Sequence, residues 1–146
     1  MGTELASRDG EAMVHANDID LCYQSLGDPG APVILLIMGL GMQLIAWPDA
    51  FCDSLVERGF RVIRFDNRDV GHSTHVAWGQ RPRVLLAIVR SMLGLPVHSP
   101  YRLSDMADDA IGLLDALQVK RAHVVGASMG GMIGQCMAAC HPARLL

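Results

Sequence analysis

The chain has 146 residues, 51% of them hydrophobic and 18% charged, with a formal charge of −3; this composition suits one globular core beneath a mildly acidic surface rather than two domains. The basic residues are scattered, Arg81, Arg83 and Arg90 being the closest grouping, which excludes the concentrated positive charge of a nucleic-acid binder and reads as a solvated rim. The N-terminus lacks the apolar core of a secretory signal, and the most apolar run, Val84 to Val89 with Met92 and Leu93, is broken by Arg90 and Ser91 and falls short of the ~20 residues of a membrane span, so a cytoplasmic protein without a membrane partner is expected.

Pro and Gly punctuation divides the chain into short apolar runs alternating with helix-period segments, the pattern of a sheet covered by helices. Ala12 to Ala16 and Ile19 to Leu26 flank Asn17-Asp18, a hairpin corner, and Gly27-Asp28-Pro29-Gly30 closes the second run. These are expected as antiparallel opening strands. Val33-Ile34-Leu35-Leu36-Ile37 is apolar at every position, as in a strand buried between two helical layers, and it ends at Gly39-Leu40-Gly41.

Pro48 suits a first helical turn, Phe51, Cys52, Leu55 and Val56 share one face, and Gly59 stops the segment, which predicts a helix of about three turns. Arg61 to Phe65 is the next strand, followed by the polar turn Asp66-Asn67-Arg68-Asp69-Val70-Gly71. Acids and arginines so close together pin a loop through local hydrogen bonds and ion pairs, so Asp66 and Arg68 are assigned a structural role. Ser104 is expected to cap a helix with Asp105 and Asp108 in its first turn and Leu103, Met106, Ala107, Ala110, Ile111, Leu114 and Leu117 on its buried stripe.

Ala122 to Val125 forms a short strand, and Met129, Met132, Ile133, Cys136, Met137 and Cys140 fall on one helical face that ends at Pro142. Between them stands Gly126-Ala127-Ser128-Met129-Gly130. A serine hydroxyl is a poor nucleophile: it needs exposure, a base, and donors for the oxyanion. A sharp strand-to-helix turn supplies the first and third, provided the flanking residues are small. Gly126 and Gly130 provide that space, and Gly131 and Gly134 let the helix approach the sheet closely. The backbone N–H of Met129 lies at the helix start, where negative charge is favoured. In the glycine turn after the earlier strand, the N–H of Leu40 is the second candidate donor.

The order Met38-Gly39-Leu40-Gly41, then Asp66-Asn67-Arg68-Asp69-Val70-Gly71-His72-Ser73, then Gly126-Ala127-Ser128-Met129-Gly130-Gly131 resembles the α/β-hydrolase family from about the first strand to the end of the chain. The resemblance implies an α/β fold whose N-terminal half comprises antiparallel opening strands, then parallel β-α-β units ending in the nucleophile elbow and its helix. It implies Ser128 as the nucleophile and the N–H groups of Leu40 and Met129 as the oxyanion hole, with Gly39, Gly41, Asp66, Arg68, Gly126 and Gly130 supporting the site. Met38 departs from the histidine of many members, which leaves the backbone donors in place. The M-G-L-G loop with the D-N-R-D-x-G-x-S turn resembles bacterial esterases and methylesterase-like enzymes, whose substrates are small esters or acyl compounds.

The family order is serine, acid, histidine, yet after Ser128 there is no Asp or Glu, and the single histidine, His141, lies about 20 Å away along the helix. His72 and His75 read as loop or rim residues; His15, His98 and His123 also precede the serine. Residues 1–146 are therefore expected to be an incomplete domain lacking lid and later strands, inactive alone. A cofactor-free perhydrolase or haloperoxidase-like enzyme and a non-catalytic degenerate fragment are the alternatives. Leu40, Met42, Leu44, Ile45 and Trp47 point either to an apolar substrate portion or to core.

No cofactor and no metal are expected. Cys22, Cys52, Cys136 and Cys140 form no paired CxxC units and read as core thiols, the Cys140-His141 pair continuing a helix face rather than making a metal corner. Gly39-Leu40-Gly41-Met42-Gln43-Leu44 lacks the third glycine of a dinucleotide fingerprint, and no P-loop is present.

Overall fold

The computed structural model describes residues 10–76, 89–90, 92–96 and 99–146. Arg81, Arg83, the apolar run 84–88 and His98 lie outside the described residues. Arg90 is exposed and donates to the Pro96 carbonyl.

Strands β1 (Glu11–Ala16) and β2 (Ile19–Leu26) form the expected antiparallel hairpin. Asn17 and Asp18 have φ of 51° and 62°, the left-handed pair that a two-residue turn needs to match strand twist. Strands β3 (Val33–Ile37), β4 (Arg61–Phe65) and β5 (Ala122–Gly126) complete a five-stranded sheet of order β1-β2-β4-β3-β5. β2 pairs antiparallel with β4, while β3 runs parallel to both β4 and β5.

Every side chain of β3 is buried. Val33, Leu35 and Ile37 enter the larger core, and Ile34 and Leu36 enter the smaller core around Cys52 and Val62. Full burial of such side chains contributes about 1.5–3 kcal/mol each, which makes β3 the anchor of the sheet.

Helix α1 (Asp49–Val56) covers the smaller core with Cys52, Leu55 and Val56. It has eight residues rather than the expected three turns, because Pro48 serves as its N-cap and the stop comes early. Gly59, at φ 85°, lets the Phe60 N–H return to the Leu55 carbonyl. Phe51 leaves the core face and stacks on Trp47, with ring centroids 5.6 Å apart.

Helices α2 (Leu103–Ala116) and α3 (Met129–Cys140) cover the larger core. Ser104 is not the cap of α2. The helix begins two residues earlier than a Ser104 cap requires, with Arg102 at the N-cap, and the Asp105 carboxylate accepts the Arg102 N–H at 2.6 Å. Asp105 thus does the capping, and Asp108 lies beyond the first turn, bonded to His141 at 2.8 Å.

On α3 only Gly130, Ile133 and Met137 are buried. The helix packs against β5, at one end of the sheet, and against α2, so its apolar face is narrower than its periodicity predicts. Met132 and Cys140 are exposed, and Cys136 is half-buried. Cys22 and Cys52 are core thiols as expected. Among the described residues, no helix is long and apolar enough to cross a membrane.

Candidate active site

β3 and β5 are parallel neighbours in the register Ile37↔Gly126, so the loops after them leave the same end of the sheet side by side. The Ala127 N–H donates to the Ile37 carbonyl at 3.0 Å, extending the pairing one residue past β5. Ser128 then takes φ 52° and ψ −119°, a conformation that costs a non-glycine residue about 1–3 kcal/mol. Bonds on both sides hold it there: Gly130 N–H to the Ala127 carbonyl and Gly131 N–H to the Ser128 carbonyl, both 2.9 Å.

The flanking glycines are required by contact. A Cβ on Gly126 would overlap the backbone of Gly130 and Gly131, and one on Gly130 would overlap the Ile37 carbonyl. Gly134 has looser limits, since its Cβ would sit 3.3 Å from a Val124 methyl. Gly39 closes the other side, where an added Cβ would lie 3.3 Å from both the Ala127 oxygen and Ser128 Cβ. Gly41, at φ 69°, turns the chain away. Ser128 is exposed, and its hydroxyl has no hydrogen-bond partner among the described residues. Nor do the N–H groups of Leu40 and Met129 have an acceptor among them. An oxyanion hole requires donors held in place and left free for the ligand.

The Asp66–Ser73 turn holds the loop after β3 from below. The buried Asp66 carboxylate accepts the N–H of Leu44 at 2.6 Å and of His72 at 3.1 Å. Burial raises its pKa, these two bonds oppose the rise, and the nearby Glu11 charge adds to it. Asn67 Nδ2 donates to the Met38 carbonyl at 3.0 Å, so an amide side chain braces this loop. Ser73 Oγ donates to the Asp66 carbonyl at 2.6 Å and accepts the Cys22 N–H at 2.9 Å. Gly71, at φ 54°, passes so close to the Asp66 carboxylate that a Cβ would collide with it.

Arg68 points elsewhere. Its guanidinium grips the Asp109 carboxylate through two 2.6 Å bonds, lies 4.9 Å from the centre of the Tyr101 ring, and is held more firmly protonated by Asp109. Tyr101 Oη donates to Asp69 at 2.6 Å. This network walls a cavity of about 320 Å³ lined also by Leu40, Gly41, Val70, Leu103, Met106 and Met129. The two candidate oxyanion residues thus border a mostly apolar cavity with one polar wall. Leu40 is 64% exposed and contributes to it, whereas Leu44 is core and Met42 and Ile45 are exposed outside it.

No described histidine is bonded to Ser128. His141 pairs with Asp108, His15 with Asp20, His75 with the Gly71 carbonyl, His72 approaches Glu11, and His123 meets Phe60 edge-on. Cys22 is no substitute nucleophile: burial, then the charges of Glu11 and Asp66, push its thiol up to about 12. Asn67, Gly71, Ser73 and Asp109 also support the site, and no local sequence signal marks those roles. Asn67 and Ser73 lie in the Asp66–Ser73 turn, but their partners Met38 and Cys22 are 29 and 51 positions away.

Comparison with known proteins agrees with this fold. The profile described as alpha/beta hydrolase fold matches residues 32–146. Rhodomycin D methylesterase DnrP of Streptomyces peucetius is 38% identical over 134 residues, covering 92% of this chain and 39% of the relative. Among solved structures, a hydrolase from Pseudomonas aeruginosa superposes with a TM-score of 0.72 at 31% identity, over 95% of this chain and 44% of that one. The enol-lactonase of Burkholderia xenovorans gives 0.70 at 31% identity, over 92% and 44%. The chain thus spans about two fifths of the length of the curated relative.

Proposed function

The chain belongs to the alpha/beta hydrolase fold family, and from that premise we propose that it supplies the nucleophile and oxyanion hole of a hydrolase of carboxylic esters or related acyl compounds. The observation that carries this reading is Ser128 at φ 52° on the turn between β5 and α3, beside two N–H groups that lack acceptors among the described residues. The methylesterase and enol-lactonase likenesses favour an ester or lactone substrate, and the cavity fits an apolar portion of it.

In this mechanism Ser128 Oγ attacks the acyl carbon while its proton passes to a base. The N–H groups of Leu40 and Met129 hold the oxyanion, and the alcohol leaves with a proton. Water then releases the acid and restores the hydroxyl. Asp66 and Asn67 keep the Leu40 loop in place; Gly39, Gly126 and Gly130 keep it close. In the family order the base is a histidine that follows the serine and its acid, and no described histidine bonds Ser128.

Chemical rescue tests this directly. Hydrolysis of a p-nitrophenyl ester by the chain alone is expected to be negligible. Added imidazole is expected to raise the rate in proportion to its concentration, above the background measured with Ser128→Ala. Equal rates for the two proteins at every imidazole concentration would overturn the assignment of Ser128.

A further inference from the structure

Away from the cavity, three residues distant in sequence meet at the opening hairpin. Glu11 and Cys22 are diagonal neighbours on one face of the β1–β2 ladder, where Glu11 pairs with Gln24 and Cys22 with Met13. His72 comes from the turn after β4. Glu11 Oε2 lies 3.7 Å from Cys22 Sγ and 3.4 Å from His72 Nδ1, and all three donor atoms fall within 4.8 Å of one another. We propose that Glu11, Cys22 and His72 form a binding site for a thiophilic divalent cation of the zinc class.

Distance is the first argument. In a tetrahedral zinc site with bonds of about 2.0–2.3 Å, adjacent ligand atoms stand about 3.3–3.7 Å apart. The two contacts of Glu11 match that edge length. The His72 contact is long for an N–H···O bond, which closes to about 2.7–3.2 Å, and the Cys22 contact is that of a weak thiol donor. The Glu11 side chain is only 7% exposed, and a thiol and this imidazole are its partners among the described residues. A buried carboxylate so weakly served is a group with room for a stronger partner.

The donor set and its burial agree. One sulfur, one imidazole nitrogen and one carboxylate oxygen suit zinc or its analogues; magnesium and calcium take oxygen ligands. Cys22 is 1% exposed and the His72 side chain 47%, so two ligands lie inside and the third stands at the mouth, leaving solvent access for a fourth. The site is also braced before any ion arrives. Cys22 receives the Asp66 N–H on its carbonyl at 2.9 Å and gives its own N–H to Ser73, while His72 gives its N–H to Asp66. A cation entering the site displaces the thiol proton to solvent and sits beside two carboxylates, Glu11 and Asp66. It would clamp the hairpin to the same turn that holds Leu44 and Met38, and so stiffen the candidate oxyanion loop from behind.

The test is a cobalt titration of the untagged, reduced protein, followed by absorbance. A single equivalent of Co²⁺ is expected to produce a thiolate-to-cobalt charge-transfer band with tetrahedral d–d bands, displaced by Zn²⁺ and unaffected by Mg²⁺ or Ca²⁺. Cys22→Ser is expected to remove the charge-transfer band. Because that position is buried, His72→Ala at the exposed mouth and the near-isosteric Glu11→Gln are measured beside it, with folding followed by circular dichroism. Each is expected to weaken binding by more than about 100-fold, the most that loss of an outer partner brings. The double variant Cys136→Ser and Cys140→Ser is expected to bind as the parent does. Absence of the band in folded protein, its survival in Cys22→Ser, or wild-type affinity in folded His72→Ala or Glu11→Gln would overturn the site.

Discussion

Two regions hold the two loops of the candidate site by opposite means. The elbow between β5 and α3 works by omission: Gly126 and Gly130 bring backbone against backbone where a methyl group would not fit. The turn from Asp66 to Ser73 works by addition: Asp66, Asn67, Arg68 and Ser73 each bond a backbone group or charge on another part of the chain. The contrast teaches that one region tolerates no extra atom and the other no missing one.

The sharpest way to break the elbow is therefore to add a carbon. Gly130→Ala drives a Cβ into the Ile37 carbonyl and is expected to destabilise by about 4 kcal/mol or more, or to abolish the cooperative thermal transition. Gly134→Ala in the same helix, facing only a movable Val124 methyl, is expected to change stability by no more than about 1 kcal/mol. If both behave alike, packing in the elbow is not the constraint.

The turn should yield to removal instead. Asp109→Ala strips the Arg68 guanidinium of its buried partner, which is itself 2% exposed, and is expected to cost about 3–5 kcal/mol in thermal or denaturant unfolding. Asn67→Ala leaves the Met38 carbonyl without its donor, an expected loss of about 1–3 kcal/mol. That loss should come with a fall in Ser128-dependent ester hydrolysis under imidazole rescue larger than the change in substrate affinity.

The smallest effect is a pH dependence. Burial, then the bond to Asp69, raises the Tyr101 pKa, so the folded state favours the protonated phenol. That stabilisation is complete below the ordinary tyrosine value of about 10 and is lost as pH rises through the higher folded value. Tyr101→Phe is expected to flatten the alkaline decline of the melting temperature while changing little near neutrality. An unchanged decline would remove Tyr101 from the polar wall of the cavity.

What could be read from the chain alone follows the same divide. Backbone requirements leave their mark on adjacent residues: Asn17-Asp18 announces the hairpin, the unbroken apolar run announces β3, and glycines flanking a serine announce the elbow. Polar support does not, because its partners are remote. Asp109 sits on a stripe otherwise apolar and signals nothing until Arg68, 41 positions earlier, is brought to it. Cys140 fits the helical period of α3 yet lies in solvent, since periodicity reports a face and not what covers it.

The parallel register Ile37↔Gly126 acts as a ruler. Leu40 and Ser128 are brought level because β3 and β5 end together, and the Asp66–Ser73 turn then braces the first of the two loops. Connections that neither pair with β3 nor brace its loop can lengthen or shorten without moving the two loops apart. A single residue inserted within either strand would shift one loop by about 3.3 Å and turn its side chains to the opposite face. Variation in this chain should therefore concentrate between the strands, leaving their lengths untouched.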